Sequence, residues 1–319
     1  MRIVSLGTIW NEELSRLLDP RCEFLAASVD DTAERDEALA EAEVVVTSRF
    51  TTAMGKASRR LRLIVCPPAG TEGIDRAAIP PGVLLRNGVG HEVAIAEYVI
   101  GCCVALRQHL CEGDAALREG RWRYGFQSGN GMLEELWGTN LGLVGFGSIG
   151  REIAARALAF GMTCAAVTLH TERPRAGGDG LEFMGGLRAA DDVDRLVAWA
   201  DQLIVCCELS ELTHGMIDAR RLGLAKPTAV LVNVARGPIV VERDLFAALK
   251  EGTIAGAALD VWYRYPQEPG QTCLPAEMPF WELENVIMTP HSSGWTRAAK
   301  QRRLEAMAKT INDFAAGRV

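Results

Sequence analysis

The sequence predicts an α/β fold made of doubly wound parallel sheets. Two observations carry this prediction: short β-branched runs alternate with helical patterns along the chain, and several of these runs are apolar throughout. Helices cover both faces of a parallel sheet, so its strands lack the polar alternation of half-exposed strands. Strands are predicted at residues 2–6, 44–47, 63–66, 141–145, 164–168, 202–206, 229–234 and 256–259. Helices are predicted at residues 93–117 and 298–315.

A glycine-rich turn stands between one predicted strand and the helical pattern that follows it. Gly145, Gly147 and Gly150 have GxGxxG spacing there. The first glycine permits a tight turn, the second lets backbone approach a pyrophosphate, and the third lets the helix pack on the strand. The N–H groups at the helix start, around Ser148 and Ile149, then face the anion. This order of strand, turn and helix indicates a nicotinamide dinucleotide site.

Length and composition favour a protein of about two domains in a reducing compartment. Hydrophobic residues make up 48% of the 319 residues, and no apolar run reaches the roughly 18 residues of a membrane span. The first residues lack the features of a signal peptide. The nine cysteines show no CxxC spacing, which favours free thiols in the cytoplasm over disulfides or a metal site. The net charge of −7 argues against nucleic acid as a partner.

The position of the glycine turn in the middle of the chain predicts one domain inserted in another. A βα region of its own precedes the turn, and a final helical segment follows the last predicted strand. We therefore expect a Rossmann cofactor domain, residues 93–291, inserted in a flavodoxin-like substrate domain formed by residues 1–92 and 292–319.

Two apolar runs end in side chains that suit the chemistry of a 2-keto or 2-hydroxy acid. Arg236 follows the strand at 229–234, at the edge where open α/β sheets bind ligands. Its planar guanidinium can hold a carboxylate through two hydrogen bonds. His291 ends the second run, and imidazole exchanges a proton near neutral pH. Each residue also has a plainer interpretation as part of the structure, but we predict that Arg236 binds substrate and that His291 is the acid/base.

Together these features resemble the D-isomer-specific 2-hydroxyacid dehydrogenase family over almost the whole chain. The matching segments are residues 69–75, 93–98, the glycine turn, 233–237, 258–261 and 289–291. By this resemblance Arg236 is the substrate-binding arginine, His291 is the acid/base, and Asp260 lies near the nicotinamide carboxamide.

The resemblance also implies features of the substrate domain and of the assembly. Backbone around three residues of that domain would hold the substrate carboxylate, namely Ala69, Gly70 and Thr71. The family further implies homodimers joined through the cofactor domain, and closure of the two domains over substrate.

The sequence departs from the family pattern at the third catalytic position. The family has a glutamate five residues after the aspartate that corresponds to Asp260, and this glutamate hydrogen-bonds the histidine. Here the position holds Tyr265. A carboxylate beside a histidine favours the imidazolium, so its loss predicts a lower optimal pH for carbonyl reduction. As an alternative, a shifted loop brings Gln267 or Glu268 into the same place.

A second departure concerns the choice between NAD and NADP. NAD-preferring members end the strand after the glycine turn with an aspartate that binds the ribose hydroxyls, but this chain has Thr168. The missing charge removes a repulsion from a 2′-phosphate, which His170 and Arg173 could attract. The alternatives are that both are solvated loop residues, or that Glu172 replaces the aspartate. Cys207 either packs a strand or lines the adenine-ribose side. We predict NADP over NAD.

Two functions remain open from the sequence. The first is NAD(P)-dependent reduction of a 2-keto acid to a D-2-hydroxy acid, and the reverse reaction. The second is a catalytically impaired dinucleotide sensor or corepressor-like protein on the same scaffold, which the loss of the family glutamate permits. Retention of Arg236 and His291 favours the enzyme, because a sensor needs neither residue to bind a cofactor. The sequence does not identify the keto acid.

Overall fold

The protein consists of two compact units. One is formed by Met1–His91 with Thr296–Val319, and the other by Glu92–Trp295. The computed structural model describes residues 1–7, 10–30, 32–126, 128, 132–171, 180–268 and 270–318. The strand pairs within each unit run parallel.

The first unit holds a five-stranded sheet with the order β2-β1-β3-β4-β5, which is the order of flavodoxin-like sheets. Its strands are β1 (Arg2–Leu6), β2 (Glu23–Ala27), β3 (Val44–Thr47), β4 (Leu63–Cys66) and β5 (Leu84–Asn87). Its helices are α1 (Asn11–Leu17), α2 (Ala33–Glu41), α3 (Thr52–Ala57) and the C-terminal α10 (Arg297–Ala315).

The central strands of this sheet are buried on both faces, which explains their apolar sequences. Every residue of β3 and β4 is buried. Val44 and Val46 point into one core cluster, and Val45 points into the cluster on the opposite face. Helix α10 covers the first cluster with an apolar stripe that includes Leu304 and Ile311. The predicted helix at residues 298–315 is thereby confirmed to within one residue.

The second unit holds a seven-stranded sheet with the order β12-β11-β10-β9-β6-β7-β8. This is the Rossmann order, in which successive strands are added first on one side of the unit's first strand, β6, and then on the other side. The strands are β6 (Asn140–Val144), β7 (Thr163–Thr168), β8 (Leu181–Gly186), β9 (Gln202–Val205), β10 (Val230–Asn233), β11 (Gly256–Leu259) and β12 (Val286–Met288). The helices are α4 (Glu92–Arg107), α5 (Leu110–Arg118), α6 (Ser148–Ala159), α7 (Ala190–Trp199), α8 (Ala219–Leu222) and α9 (Glu242–Glu251). The predicted fold class is confirmed.

One predicted helix is in fact two. The apolar pattern at residues 93–117 is divided between α4 and α5, which meet at an angle of 57°. His109 adopts a left-handed backbone conformation at the junction, with φ of +48°, and a single residue of this kind ends an α-helix. Among the described residues no single helix is long and apolar enough to span a membrane, although α4 and α5 together meet that criterion as a bent pair.

Three strands that the sequence did not predict lie at sheet edges. β2 and β5 are the outer strands of the first sheet, and β8 is an outer strand of the second. Most of their residues are exposed or half-buried. They therefore lack the continuous apolar runs by which the buried central strands were recognised.

Candidate dinucleotide and catalytic site

A cavity of about 560 Å³ opens in the second unit at the carboxyl ends of β6, β7 and β9. The strand order reverses between β6 and β9, and open α/β sheets bind ligands at such a reversal. The cavity volume is within the range of small-molecule and cofactor sites. Six predicted cofactor residues line it together: Gly145, Gly147, Ser148, Thr168, His170 and Cys207.

The glycine turn fits a pyrophosphate. Gly145 has φ of +110°, and a Cβ atom there would lie 2.8 Å from the backbone nitrogen of Cys207. A Cβ atom on Gly150 would lie 2.6 Å from the carbonyl oxygen of Gly145, which explains the close packing of α6 on the turn. A Cβ atom on Gly147 would meet no atom within 4 Å. This glycine therefore leaves room at the cavity surface, and the structure fits a dinucleotide there.

The first turn of α6 supplies the N–H groups that have no partner inside a helix. Ser148 begins the helix and lines the cavity. The side chain of Ile149 instead packs against the hydrophobic cluster beneath the sheet, so only its backbone can serve an anion. Arg151 also lines the cavity, with its guanidinium carbon 5.5 Å from the ring centroid of Phe146. Sequence reasoning missed Arg151, although a cation in the first turn opposes the helix dipole and was a usable signal.

Polar and sulfur-bearing side chains line the cavity at the ends of β7 and β9. Burial raises the pKa of the Cys207 thiol to about 12, so the thiol is neutral. Cys206 donates to the carbonyl oxygen of Gly145 at 3.2 Å. The cavity also includes the exposed Glu208. Arg173 and Glu172, which entered the prediction of cofactor choice, lie outside the described residues.

Arg236 follows β10 in a turn that hydrogen bonds hold in place. The side-chain amide of Asn233 donates to the carbonyl oxygen of Arg236 at 3.0 Å and accepts from the N–H of Ala235 at 3.0 Å. A Cβ atom on Gly237 would lie 2.4 Å from the carbonyl oxygen of Trp262. The backbone on both sides of Arg236 is therefore fixed, and its half-buried guanidinium donates to the carbonyl oxygen of Ala235 at 2.6 Å.

His291 lies on the loop after β12 in a left-handed conformation with φ of +56°. Such a conformation costs a non-glycine residue about 1–3 kcal/mol, and it persists where surrounding contacts impose it. Asp260, fully buried after β11, supplies those contacts. Its carboxylate accepts from the Thr289 hydroxyl at 2.6 Å and from the N–H groups of Ser292 and Ser293 at 2.8 and 3.0 Å. The structure thus places Asp260 against the His291 loop, and its contact with a nicotinamide stays a prediction.

Tyr265 itself takes the place that the family gives to the glutamate. Its hydroxyl oxygen lies 3.2 Å from Nδ1 of His291 and accepts a hydrogen bond from the N–H of Trp262 at 2.9 Å. Burial raises the pKa of the phenol above its ordinary value, so the group is neutral at physiological pH. Gln267 donates through its side chain to the carbonyl oxygen of Tyr265 at 3.1 Å, and Glu268 is exposed.

A further set of hydrogen bonds supports this loop, and sequence reasoning missed its members. The Tyr98 hydroxyl, on α4, lies 2.7 Å from the Thr289 hydroxyl. The indole N–H of Trp262 donates to the carbonyl oxygen of Thr289 at 2.8 Å. These contacts connect α4 and the end of β11 to the residue two positions before His291.

The predicted carboxylate-binding residues belong to the first unit and follow β4. The side-chain amide of Asn87 donates to the carbonyl oxygen of Ala69 at 2.9 Å, and the Cys66 thiol donates to that of Gly70 at 3.6 Å. Thr71 is buried, and its hydroxyl accepts from Arg76 at 3.3 Å. The segment is therefore held in a defined shape, while its role in substrate binding stays a prediction.

The sequence of this chain is similar to a known family of dehydrogenases. Residues 100–293, more than half of the chain, match the family model for the NAD-binding domain of D-isomer-specific 2-hydroxyacid dehydrogenases. A glyoxylate reductase of Pyrococcus furiosus is 32% identical over 265 residues, covering 82% of this chain and 74% of the relative. A D-3-phosphoglycerate dehydrogenase of Methanocaldococcus jannaschii is 29% identical over 96% of this chain, which spans only 56% of that relative.

A solved structure supports the same conclusion. A D-isomer-specific 2-hydroxyacid dehydrogenase family protein from Aeromonas salmonicida is 26% identical, with a TM-score of 0.77, and the match covers 100% of this chain and 97% of that one. Family model, curated relatives and fold agree with the resemblance seen in the sequence. The chain therefore is an enzyme of the D-isomer-specific 2-hydroxyacid dehydrogenase family.

Proposed function

We propose that the protein reduces a 2-keto acid to a D-2-hydroxy acid, and catalyses the reverse reaction, with NADP or NAD. The observation that carries this proposal is the grouping of side chains after three consecutive strands. Arg236 follows β10, Asp260 follows β11 and His291 follows β12. These three strands are neighbours in the sheet, and the Tyr265 hydroxyl lies 3.2 Å from Nδ1 of His291.

Each residue has a definite task in this proposal. The bound nicotinamide cofactor supplies the hydride chemistry. The Arg236 guanidinium binds the substrate carboxylate through two charge-assisted hydrogen bonds and orients the carbonyl. Nε2 of His291 gives a proton to the carbonyl oxygen in reduction and takes one from the hydroxyl in oxidation. Asp260 holds the loop that carries His291.

The test is oxidation of NADPH and NADH followed at 340 nm with glyoxylate, hydroxypyruvate, pyruvate, a branched keto acid and phenylpyruvate. Similarity to the glyoxylate reductases makes glyoxylate the first substrate to try. Arg236→Ala should lower kcat/KM about 100-fold or more, because it leaves the substrate carboxylate unpaired, while cofactor affinity changes little. Arg243→Ala is the matched control, since Arg243 is an exposed arginine of the same unit.

Two outcomes contradict the proposal in different ways. Full turnover by Arg236→Ala removes this residue from the mechanism. Tight cofactor binding with no turnover of any keto acid favours the sensor in place of the enzyme.

We propose further that NADP is preferred over NAD. In support, Thr168 at the end of β7 carries no charge, and His170 and Arg151 line the same cavity. The Glu208 carboxylate also lines it and opposes a phosphate, so the preference is a modest one. Thr168→Asp should raise KM for NADPH about tenfold or more through like-charge repulsion, with little change for NADH. Equal KM values for both cofactors in the unchanged protein would contradict the preference.

The remaining proposals concern the roles of the two units, the oligomeric state and the cellular location. We propose that Glu92–Trp295 binds the dinucleotide and that the backbone of Ala69, Gly70 and Thr71 in the first unit binds the substrate carboxylate. We also propose that the protein is a homodimer. The nine cysteines are free thiols, as a reducing compartment requires, and this supports a cytoplasmic location.

A further inference from the structure

The hydroxyl of Tyr265 lies between a backbone amide and the side chain of His291. It accepts from the Trp262 N–H at 2.9 Å and lies 3.2 Å from Nδ1 of His291. The two rings are tilted by 52°, with centroids 5.8 Å apart, so the contact runs through the hydroxyl and is not a ring stack.

The donor and acceptor roles in this contact follow from the groups involved. A backbone N–H can only donate, so the phenol oxygen of Tyr265 is its acceptor. The hydroxyl hydrogen is then available for a different partner, and Nδ1 of His291 lies within hydrogen-bonding distance. In the resulting chain, the Trp262 amide donates to Tyr265, and Tyr265 donates to Nδ1.

We propose that Tyr265 is the positioning residue of His291, holding the neutral imidazole through Nδ1 and placing its hydrogen on Nε2. A carboxylate at this position has no hydrogen to donate and therefore keeps the hydrogen on Nδ1. Tyr265 thus selects the opposite tautomer from the one that the glutamate of the family resemblance would select. The proposal rests on the proposed function only in taking Nε2 as the atom that serves the substrate. A neutral ring with hydrogen on Nε2 cannot take a proton at that atom, so oxidation of the hydroxy acid must use the other tautomer, with hydrogen on Nδ1.

Among the described residues, no carboxylate forms a hydrogen bond with the Tyr265 hydroxyl. Arg236, after β10, favours ionisation of the phenol, but burial outweighs it and the phenol stays protonated. The Asp260 carboxylate, after β11, accepts three hydrogen bonds from Thr289, Ser292 and Ser293. From α4, Tyr98 reaches this loop through Thr289. Arg264, next to Tyr265 in the chain, pairs with Glu277 at 2.7 Å.

Protonation of His291 requires Tyr265 to change its role. The imidazolium carries hydrogen on both nitrogens, so Nδ1 must donate to the phenol oxygen, which the Trp262 amide already uses. The phenol hydrogen then turns to water, which is available because Tyr265 is 40% exposed. A neutral hydroxyl stabilises this imidazolium less than a carboxylate does. Carbonyl reduction, which needs the imidazolium, should therefore fall off at a lower pH than with a glutamate at this position.

The tautomer can be measured directly by 15N NMR of the full-length protein labelled at histidine, without substrate. A His291→Asn variant identifies the signals of His291 among those of the five histidines. At a pH where the ring is neutral, we expect hydrogen on Nε2 and a bare Nδ1. Tyr265→Glu should reverse this pattern. Tyr265→Phe, which keeps the ring and removes the hydroxyl, should give a mixture of the two tautomers.

Tyr263→Phe is the matched control, because the Tyr263 hydroxyl donates to the carbonyl oxygen of Val240, away from His291. This variant should keep the tautomer of the unchanged protein. In kinetics, Tyr265→Glu should move the decline of kcat/KM for reduction upward by about 1–3 pH units, and Tyr263→Phe should not move it.

Hydrogen on Nδ1 in the unchanged protein, or the same tautomer in Tyr265→Glu and Tyr265→Phe, would overturn the proposal. An unshifted pH profile in an active Tyr265→Glu variant would overturn it as well. Failure of the proposed function looks different, since it appears as absence of turnover in the unchanged protein. The NMR result still decides the role of Tyr265 in that case.

Discussion

At the scale of single residues, the conformation of the His291 loop depends on one buried carboxylate. Asp260 accepts hydrogen bonds from the Thr289 hydroxyl and from the backbone N–H groups of Ser292 and Ser293. All three donors meet a fully buried side chain, so water cannot replace it. The left-handed backbone at His291 is stable because these bonds hold the residues on either side of it.

Asp260→Asn should therefore destabilise the protein strongly. The amide of asparagine has only one acceptor oxygen. Its NH₂ group would face the hydroxyl and backbone N–H groups that donate to Asp260, and a backbone N–H cannot accept its hydrogens. Loss of charge-assisted hydrogen bonds together with an unsatisfied buried N–H should lower the free energy of unfolding by about 2–4 kcal/mol. Urea denaturation at 25 °C measures this. Asp244→Asn is the control, because Asp244 accepts from the N–H of Ala219 in an exposed position. Equal effects of the two substitutions would contradict the argument.

Arg236 and His291 could be predicted as catalytic candidates from the sequence, but the contact of Tyr265 with His291 could not. Arg236 and His291 each lie three residues after the end of an apolar strand, and the end of such a strand can be recognised in the sequence. The position of Tyr265 depends on the path of the loop after β11, where no periodicity exists. Its hydroxyl is fixed by the amide of Trp262, three residues earlier. Such a local hydrogen bond leaves no signal in residue spacing.

At the scale of elements, the turn from β6 to α6 contains one glycine that the fold requires and one that the fold does not require. Gly145 has positive φ, and a side chain there would meet the backbone of Cys207. Gly147 has φ of −83°, which any residue adopts, and the space beside its Cα is open. No contact with a described residue requires glycine at the second position, so we expect the bound cofactor to require it.

The two glycines should consequently respond differently to alanine. Gly145→Ala should lower the free energy of unfolding by about 1–3 kcal/mol or more through backbone strain and the close contact. Gly147→Ala should unfold like the unchanged protein but bind NADPH about tenfold or more weakly, since its methyl group takes space used by the pyrophosphate. Thermal unfolding without cofactor and fluorescence titration with NADPH test the pair. Normal affinity in Gly147→Ala would show that the pyrophosphate does not pass over this residue.

Burial determined which strands could be predicted from the sequence. The fully buried strands β3, β4 and β11 were predicted at their observed bounds. The edge strands β2, β5 and β8 were missed because most of their residues are exposed or half-buried. The division of the predicted helix into α4 and α5 was also missed. A continuous apolar pattern cannot show a single left-handed residue such as His109.

At the scale of the whole molecule, one stretch of the second unit exposes large apolar side chains. Leu117, Trp122, Phe126, Met132 and Trp137 are all exposed, and Phe126 and Met132 are almost completely so. Several large exposed apolar side chains in one short stretch of sequence are candidates for an interaction surface. Aromatic residues and methionine are also enriched in protein interfaces. This supports the proposal that a second copy of the chain covers these side chains in a homodimer.

Light scattering coupled to size-exclusion chromatography should therefore give twice the 34.6 kDa of the single chain. Replacing Phe126 and Met132 together by aspartate should favour the monomer, because two charges cannot be buried without partners. Stability of the monomer itself should change little, since neither side chain is buried in it. Leu274→Asp, at another exposed leucine of the same unit, should leave the dimer intact. A monomer in the unchanged protein at micromolar concentration would refute the dimer, and dissociation by Leu274→Asp instead would place the interface elsewhere.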